Sequence, residues 1–293
     1  MTTARVPAQA KVNLLLHVLA RETSGYHSIE TVFLRLDLAD EVVVRTSSRR
    51  SLDCSGPAMP ATGLGRVERN LAFMAAREYA EATGWPNGFE IQIVKKIPTG
   101  GGLGGGSADA GAVLRALDAM SPHPLGPRLA SLATQIGADV PFMTVSAPMA
   151  IAWGRGERML PLPVLPPRPV LLIVPQVPVA TADAYSWLAS DRGVYTPVAR
   201  VLAPAVLADW TSIAPIARND FERVVARRHP VIAQLVDELR AVGAGLAMLS
   251  GSGSTVFGVF DDEPDAAAVA RSTGQDVIQT NTSDRVVGVE LEQ

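Results

Sequence analysis

The sequence is poor in the residues that build metal and disulfide sites. It has one cysteine, Cys54, in 293 residues. A single thiol excludes an internal disulfide framework and a zinc site made from several cysteines. The histidines show no metal-ligand spacing with one another; they are His17, His27, His123 and His229. We therefore expect no structural metal site.

The chain also lacks an excess of either charge. Lys and Arg number 26 against 29 for Asp and Glu, giving a formal net charge of -3. No basic field favours nucleic acid and no polybasic run favours a membrane surface. No apolar run reaches the ~18 to 20 residues of a membrane-spanning helix, and the apolar run near the N-terminus is too short for a signal peptide. A cytoplasmic protein with a small-molecule partner is the expectation.

Apolar residues are plentiful, at 47% of the chain, enough for one large domain or two ordinary ones. We expect two, because a proline-rich stretch at 160–169 suggests a boundary between residues 1–160 and 161–293. Helices and strands are mixed in both parts without regular alternation, which favours α+β layers over a doubly wound sheet. Strands are predicted at 11–20, 41–46, 89–97, 170–179 and on both sides of a turn in 245–260. Helices are predicted at 68–84, 107–120, 128 to near Gly137, 181–189 and 219–244, with a break at Pro230.

The sequence "IPTGGGLGGGSADAG" (97–111) holds six glycines in the seven positions from Gly100 to Gly106. It joins a predicted strand to a predicted helix that Ser107 could cap. Backbone amides and the positive end of a helix dipole then meet at one point, which is typical of a phosphate site. A hinge or a tight turn is the plainer explanation, but neither needs six glycines. A P-loop is disfavoured because no Lys precedes Ser107, and a dinucleotide fold because no acidic strand end follows.

Two charged residues stand in apolar sequence. Asp139 lies in "GADVPFM" after a predicted helix end, where it is either a structural cap or a catalytic group. Lys11 begins an apolar strand, with Asn13 on the same face two residues later. A lone Lys at a strand start is usually solvated, but contact between Lys11 and Asp139 would explain both charges.

Two loops are further candidates for ligand contact. "SGYHSIET" (24–31) places Tyr26 and His27 in a turn, where an aromatic face could hold a base, although loop aromatics more often pack locally. "LSGSGSTVFG" (249–258) is a second glycine turn between apolar runs. A hairpin is the simple interpretation, and a second loop facing a ligand is the alternative.

Together, Lys11 with Asn13, "GYH", "PTGGGLGGGSADA" (98–110), "GADVPF" (137–142) and "SGSG" (250–253) resemble the GHMP small-molecule kinases, in order from about Ala8 to Phe260. The resemblance implies a ribosomal-S5-like N-terminal domain that binds ATP, an α/β-sandwich C-terminal domain that binds substrate, and an active site in the cleft between them. "GYHSIET", "GADVPF" and "VATADAY" are similar to the branch that phosphorylates the 2-hydroxyl of a cytidine diphosphate-linked methylerythritol in non-mevalonate isoprenoid biosynthesis.

The same resemblance implies roles for single residues. Asp139 would be the general base or an orienting group, and Lys11 would orient it and stabilise the transferring phosphoryl group. ATP would lie over Pro98, Gly100, Gly101, Gly102, Leu103, Gly104, Gly105, Gly106 and Ser107, with Lys95, Asn70 and Leu71 on the adenine side. Asn13, Tyr26, His27, Thr181 and Tyr185 would bind the substrate and its cytosine. Mg²⁺ would accompany ATP, with Ser107 as a candidate contact.

Two rival functions remain open at this point. The chain could be another GHMP kinase, acting on homoserine or a mevalonate derivative, or a catalytically inactive nucleotide-binding module. Retention of both Lys11 and Asp139 argues against the inactive module. A monomer or a weak homodimer is expected.

Overall fold

Two β-sheets organise the chain, and the computed structural model describes residues 2–21, 27–191 and 205–292. The strands are β1 (Thr3–Arg21), β2 (His27–Ser47), β3 (Arg50–Ser55), β4 (Gly88–Val94), β5 (Met149–Gly154), β6 (Arg158–Pro161), β7 (Pro169–Val174), β8 (Arg218–Asn219), β9 (Leu246–Leu249), β10 (Val256–Val259), β11 (Asp276–Asn281) and β12 (Glu290–Glu292). The helices are α1 (Leu71–Thr83), α2 (Gly105–Met120), α3 (Leu129–Ala133), α4 (Val140–Thr144), α5 (Thr181–Asp191), α6 (Trp210–Ile213), α7 (Asp220–Arg228), α8 (Val231–Ala241) and α9 (Ala266–Thr273).

The first sheet is built around the long antiparallel pair β1 and β2. Its order is β12-β1-β2-β4-β3, and β5 pairs with the first half of β2 while β4 pairs with the second half. Helix α2 packs on β1 and β2, and α1 and α4 pack beside α2. β1 starts eight residues before the predicted strand because Ala4, Val6, Ala8 and Ala10 alternate into the core. Small apolar residues at every second position carry a weak strand signal, so the pattern was missed.

The second sheet, β11-β7-β10-β9, is antiparallel, and its strands β7, β9 and β10 are buried while β11 is partly exposed. In β7, Val170 and Leu172 join the core beneath the first sheet, while Leu171 and Ile173 join a second core with α5, α7 and α8. The continuous apolar run of β7 follows from this, because both faces need apolar side chains. The two parts of the chain therefore share a core.

The predicted boundary at 160/161 stays a prediction. Strand β12, from the very end of the described chain, pairs with β1 in the first sheet. Whatever division is drawn, the chain returns to its first sheet after completing the second.

Most predicted helices are found, with two corrections. Helix α2 begins at Gly105 with Gly104 as its N-cap, so Ser107 lies inside the first turn and does not cap it. The helix expected from 128 to near Gly137 ends at Ala133, and a separate short helix, α4, follows with Pro141 in its first turn. Proline lacks an amide hydrogen and suits a helix start, which explains the new helix there. The break at Pro230 is confirmed as the gap between α7 and α8.

No helix in the described ranges is both long enough and apolar enough to cross a membrane.

Candidate active site

A cavity of about 1550 Å³ lies where the two sheets meet. Ligand pockets for one small molecule are usually ~300 to 1,000 Å³, so this one has room for two ligands. It is lined from the first part of the chain by the glycine loop, Lys11, Asn13, His27, Asn70, Leu71 and Asp139, and from the second part by Thr181, Tyr185, Gly251 and Ser252. Except for Tyr26, which lies outside the described residues, every residue predicted for the site borders this cavity.

Lys11 and Asp139 meet in this cavity. The ammonium Nζ of Lys11 lies 3.4 Å from Oδ2 of Asp139. It also donates hydrogen bonds to Oδ1 of Asn13 at 2.8 Å and to the carbonyl oxygen of Gly102 at 3.0 Å. Lys11 is 4% exposed, whereas the Asp139 side chain is 29% exposed. The lysine is thus fixed by three oxygens, while the carboxylate still faces the cavity.

Asn13 is held in turn by Thr31 on β2. Its Nδ2 donates to Oγ1 of Thr31 at 2.7 Å, and that hydroxyl donates to the carbonyl oxygen of Leu15 at 2.7 Å. This chain fixes the orientation of the Asn13 amide, so its oxygen is the atom that faces Lys11.

The glycine loop packs directly against the second glycine turn. Ser250 donates through Oγ to the carbonyl oxygen of Gly102 at 3.1 Å, and the amide of Thr255 donates to Gly101 at 3.2 Å. Gly102 has a φ of 80°, and a Cβ atom there would lie 2.1 Å from the carbonyl oxygen of Ser250. Only glycine allows both this φ and this approach. The second turn is therefore part of the cavity wall.

The N-terminus of α2 points its amides at the cavity. The first helical hydrogen bond runs from the Ala108 amide to Gly104 at 2.8 Å. The amides of Gly105, Gly106 and Ser107 precede it and are left for a ligand by helix geometry. Free amides at the positive end of a helix dipole are an arrangement that can bind a phosphate group, so the phosphate role of this loop stays a prediction.

A buried ionic cluster lies beneath this helix start. The ammonium of Lys95 contacts Asp40 and lies 2.7 Å from Oδ2 of Asp109. Asp40 also accepts the amides of Lys96 and Ile97, at the entrance to the glycine loop. Burial, reinforced by the charge of Asp40, raises the pKa of Asp109 to about 7 although Lys95 opposes the shift. The cluster ties the strand before the loop to the helix after it.

The residues predicted for the adenine side lie close together. The side chain of Asn70 caps α1 by accepting the amide of Ala72 at 2.9 Å, and Leu71 begins that helix. The Lys95 ammonium is engaged with its two carboxylates. Its amide donates to Ser55 and its carbonyl oxygen accepts from Ala58, so only its aliphatic stem is left for a nucleotide. Its place on the adenine side stays a prediction.

Aromatic side chains line the opposite end of the cavity. The rings of His27 and Tyr185 stack with centroids 4.5 Å apart, and Phe221 packs edge-on to Tyr185 at 4.8 Å. Because the first two rings already touch, a planar base would stack on the outside of this pair and not between them. Oγ1 of Thr181, the first residue of α5, lies 2.9 Å from Oγ of Ser252.

Arg35, 1% exposed, holds the short helix that follows Asp139. Its Nη2 donates to the carbonyl oxygens of Phe142 at 2.7 Å and Val145 at 3.2 Å, and its Nε to Ala147 at 3.4 Å. Burial lowers the pKa of Arg35 to about 9. The guanidinium thus satisfies carbonyl groups at the C-terminal end of α4, where a cation is also favoured by the helix dipole.

Sequence reasoning missed Asp40, Asp109, Arg35 and Thr31. Asp109 carried a usable signal, because it stands among Ala and Gly in "SADAGAV" much as Asp139 stands among apolar residues. Arg35, in "VFLRLDLAD", carried the same kind of signal for a buried charge.

Two family models of known proteins match this chain. Residues 70–149 match the GHMP kinases N terminal domain and residues 202–276 match the GHMP kinases C terminal domain. The chain belongs to the GHMP kinase family, and it is an ATP-dependent small-molecule kinase. A relative from Symbiobacterium thermophilum named 4-diphosphocytidyl-2-C-methyl-D-erythritol kinase is 38% identical over 88% of this chain and 90% of its own length.

Solved structures agree with this family. A crystal structure of 4-(cytidine 5'-diphospho)-2C-methyl-D-erythritol kinase matches with a TM-score of 0.76 and 34% identity, over 95% of this chain and 99% of that one. The homoserine kinase of Cytophaga hutchinsonii matches with a TM-score of 0.70 but 18% identity, over 99% and 97% of the two chains. The second likeness shows the shared fold alone, while the first confirms the two-part α+β architecture expected from the sequence.

Proposed function

We propose that this chain transfers the γ-phosphoryl group of ATP to the 2-hydroxyl of 4-diphosphocytidyl-2-C-methyl-D-erythritol, a step of non-mevalonate isoprenoid biosynthesis. The observation that carries the proposal is the contact between Lys11 and Asp139 in a cavity that the glycine loop and the aromatic pair of His27 and Tyr185 also line. Relatives at more than a third identity over nearly the whole chain support the choice of acceptor.

The donor lies along the glycine loop in this proposal. Amides from Gly100 to Ser107 bind the phosphates, and the turn at Gly251 closes the loop from the other side. The base extends toward Asn70 and Leu71, which border the same cavity.

Phosphoryl transfer then needs a deprotonated acceptor oxygen and a cation. Asp139 accepts the hydroxyl proton as the oxygen bonds to the γ-phosphorus, and the bond from that phosphorus to the bridging oxygen of ADP breaks. Lys11 lies between Asp139 and the carbonyl oxygen of Gly102. It therefore keeps the carboxylate oriented and stabilises negative charge on the transferring group.

Magnesium fits this site as a companion of ATP. Within the described ranges, no group of three or more His, Cys, Asp or Glu side chains could hold a metal on its own. Mg²⁺ usually binds through one or two protein oxygens together with substrate phosphates. The cavity-lining Ser107 hydroxyl is the protein oxygen that would contact it, together with the ATP phosphates. When bound, it supplies charge neutralisation on the phosphates.

Acceptor recognition separates this proposal from its rivals. Homoserine and mevalonate carry no nucleobase and give no reason for an aromatic pair at the far end of the cavity. We place the cytosine against His27 and Tyr185, with Tyr26 as a further predicted contact. Thr181 and Asn13 line the same cavity, and Asn13 contacts Lys11.

The deciding experiment compares acceptors with purified protein, ATP and Mg²⁺. Formation of ADP is followed with the cytidine-bearing methylerythritol, with free methylerythritol, with homoserine and with mevalonate. We expect turnover with the cytidine-bearing alcohol at a kcat/KM at least ~100-fold above the others, because base contacts contribute several kcal/mol. Equal turnover of a base-free alcohol would remove the cytosine assignments. No turnover of any acceptor would favour the inactive module.

A further inference from the structure

The second glycine turn is held from behind by a side chain that the mechanism above does not use. Asn219 ends strand β8 and is 6% exposed. Its Nδ2 donates to the carbonyl oxygen of Leu249 at 2.8 Å and to that of Gly251 at 2.7 Å. Because a side-chain amide has two N–H donors, both of them bind this turn.

The other end of the Asn219 amide fixes its direction. Its Oδ1 accepts the amide of Phe221 at 2.9 Å and so caps helix α7. With the oxygen at the helix start, the nitrogen points the opposite way, toward the turn. Asn219 is also in register with Leu16 of β1, the strand that carries Lys11. The side chain is therefore anchored to both the first sheet and α7.

Glu222 on α7 supports the same turn. Its Oε2 accepts the amide of Leu249 at 2.8 Å, so the N–H and the C=O of that residue both bind side chains from the start of α7. Leu249 ends β9, which is the last strand in its sheet. Backbone groups on the outer side of such a strand need partners other than a further strand, and Asn219 and Glu222 supply them.

The position of this turn affects the position of Lys11. Ser250 donates to the carbonyl oxygen of Gly102, and the same oxygen accepts a hydrogen bond from the Lys11 ammonium. A Cβ atom at Gly251 would lie 3.0 Å from that oxygen and 3.4 Å from Nζ of Lys11. A turn that moved away would release the Gly102 carbonyl and let Lys11 change its position beside Asp139, and a misplacement of ~1 Å can lower a rate ~100-fold.

We propose that Asn219 is a positioning residue for phosphoryl transfer, which holds the second glycine turn against the glycine loop and so fixes Lys11. This inference rests on the proposed function, in which the glycine loop binds the phosphates of ATP and Lys11 stabilises the transferring group. Asn219 is absent from the described lining of the active-site cavity, so it acts through the backbone of the turn and not by contact with a ligand.

Kinetics of Asn219→Ser test the assignment. Serine caps a helix about as well as asparagine, but its shorter side chain has one donor where asparagine has two. The cap of α7 is kept while the hold on the two carbonyl groups is lost. We expect kcat to fall ~10-fold or more and the KM for ATP to rise ~10-fold, as for the loss of one or two hydrogen bonds. Asn219→Asp, which keeps the shape and the capping oxygen but has no donor when ionised, should lose at least as much.

Val224→Ala is the matched control for a general loss of stability. Val224 is on α7, is 1% exposed and packs in the second core. Shortening it destabilises the same helix while the Asn219 amide keeps both carbonyl groups. Urea denaturation compares the stability of the two variants. We expect kcat and the KM for ATP of Val224→Ala to stay within about twofold of the wild type, because its effect is on packing alone.

A double-mutant cycle with Ser250→Ala shows whether the effect of Asn219 passes through the turn. If both side chains act on the Gly102 carbonyl, the two losses overlap. The kcat/KM for ATP of the double variant should then lie within about threefold of the more impaired single variant. Losses that multiply would mean that Asn219 acts by another route and would overturn the proposal.

Two further results would overturn the role of Asn219. One is a wild-type kcat and KM in Asn219→Ser, and the other is an equal kinetic loss in Val224→Ala. A wild type that phosphorylates no acceptor would overturn the proposed function, and the affinity for ATP measured without acceptor would then still decide the role of Asn219. We expect that affinity to be ~10-fold lower in Asn219→Ser than in the wild type, and equal affinities would contradict the proposal.

Discussion

Lys11 and Arg35 face each other across β1 and β2, and both side chains reach the segment that carries Asp139. Lys11 contacts Asp139 itself at the start of α4, and Arg35 holds the carbonyl oxygens of Phe142 and Val145 at its end. A single cross-strand pair therefore fixes both ends of a five-residue helix that is too short to be stable alone.

Replacing Arg35 should damage both stability and turnover. Arg35→Met leaves several buried carbonyl groups without a donor, each costing about 1 to 3 kcal/mol. We expect the free energy of unfolding to fall by about 2 to 4 kcal/mol, measured by urea denaturation. Because α4 then loses its anchor, kcat should fall more than the affinity for ATP.

Arg45→Met is the control for that variant. Arg45 is on the same strand but makes a 3.4 Å contact with Gln92 near the surface. Its loss should change the free energy of unfolding by less than about 0.5 kcal/mol. Equal stability in Arg35→Met and Arg45→Met would contradict the anchoring role.

Gly102→Ala tests the contact between the two glycine turns. The added Cβ would lie 2.1 Å from a backbone oxygen of Ser250, so the turns must separate. We expect the KM for ATP to rise at least ~10-fold and the free energy of unfolding to fall by about 1 to 3 kcal/mol.

Gly84→Ala distinguishes collision from backbone strain. Gly84 ends α1 with a φ of 73°, close to that of Gly102, but a Cβ atom there would meet nothing within 4 Å. Like Gly102→Ala, the Gly84→Ala variant should have a lower free energy of unfolding, but its KM for ATP should be unchanged. A similar KM in both variants would show that the contact between the turns does not shape the donor site.

Asp109 should give the protein a pH-dependent stability. Its pKa of about 7 in the folded state exceeds the ordinary value of ~3.9. Between about pH 4 and 7 the folded state holds a proton that the unfolded state releases. The contribution of Asp109 to the free energy of unfolding therefore falls as pH rises through that window, by up to about 1.4 kcal/mol per pH unit.

Urea denaturation between pH 5 and 8 measures this slope in the wild type and in Asp109→Asn. The variant cannot titrate at this position, so its stability should decline less steeply. Asp53→Asn, an exposed change on β3, should keep the wild-type slope. Identical slopes in wild type and Asp109→Asn would show that Asp109 does not carry the shifted proton.

The fold was predictable where the hydrophobic pattern was strong. The apolar run of β7 and the break at Pro230 follow from side-chain period and proline chemistry alone. The start of β1 was not predictable in this way, because alanines at alternate positions fit strands and helices equally. The true N-cap of α2 was also hidden, since a glycine in a glycine run gives no capping signal.

The site was predictable where a residue broke its local pattern. Lys11 and Asp139 stood out as charges in apolar sequence, and the structure brings them together. Arg35, Asp40 and Asp109 act through partners far away in the chain, and nothing in the sequence says which strand lies beside which helix. The face-to-face contact of His27 with Tyr185 likewise depends on how the two sheets pack.

The central claim is that Asp139, held by Lys11, accepts the proton of the acceptor hydroxyl. Single-turnover phosphoryl transfer in Asp139→Asn, with ATP affinity measured on the same protein and Asp183→Asn on the exposed face of α5 as control, tests it most directly. The account predicts a rate at least ~100-fold below the wild type with ATP affinity within about threefold. A rate close to that of the wild type would contradict it.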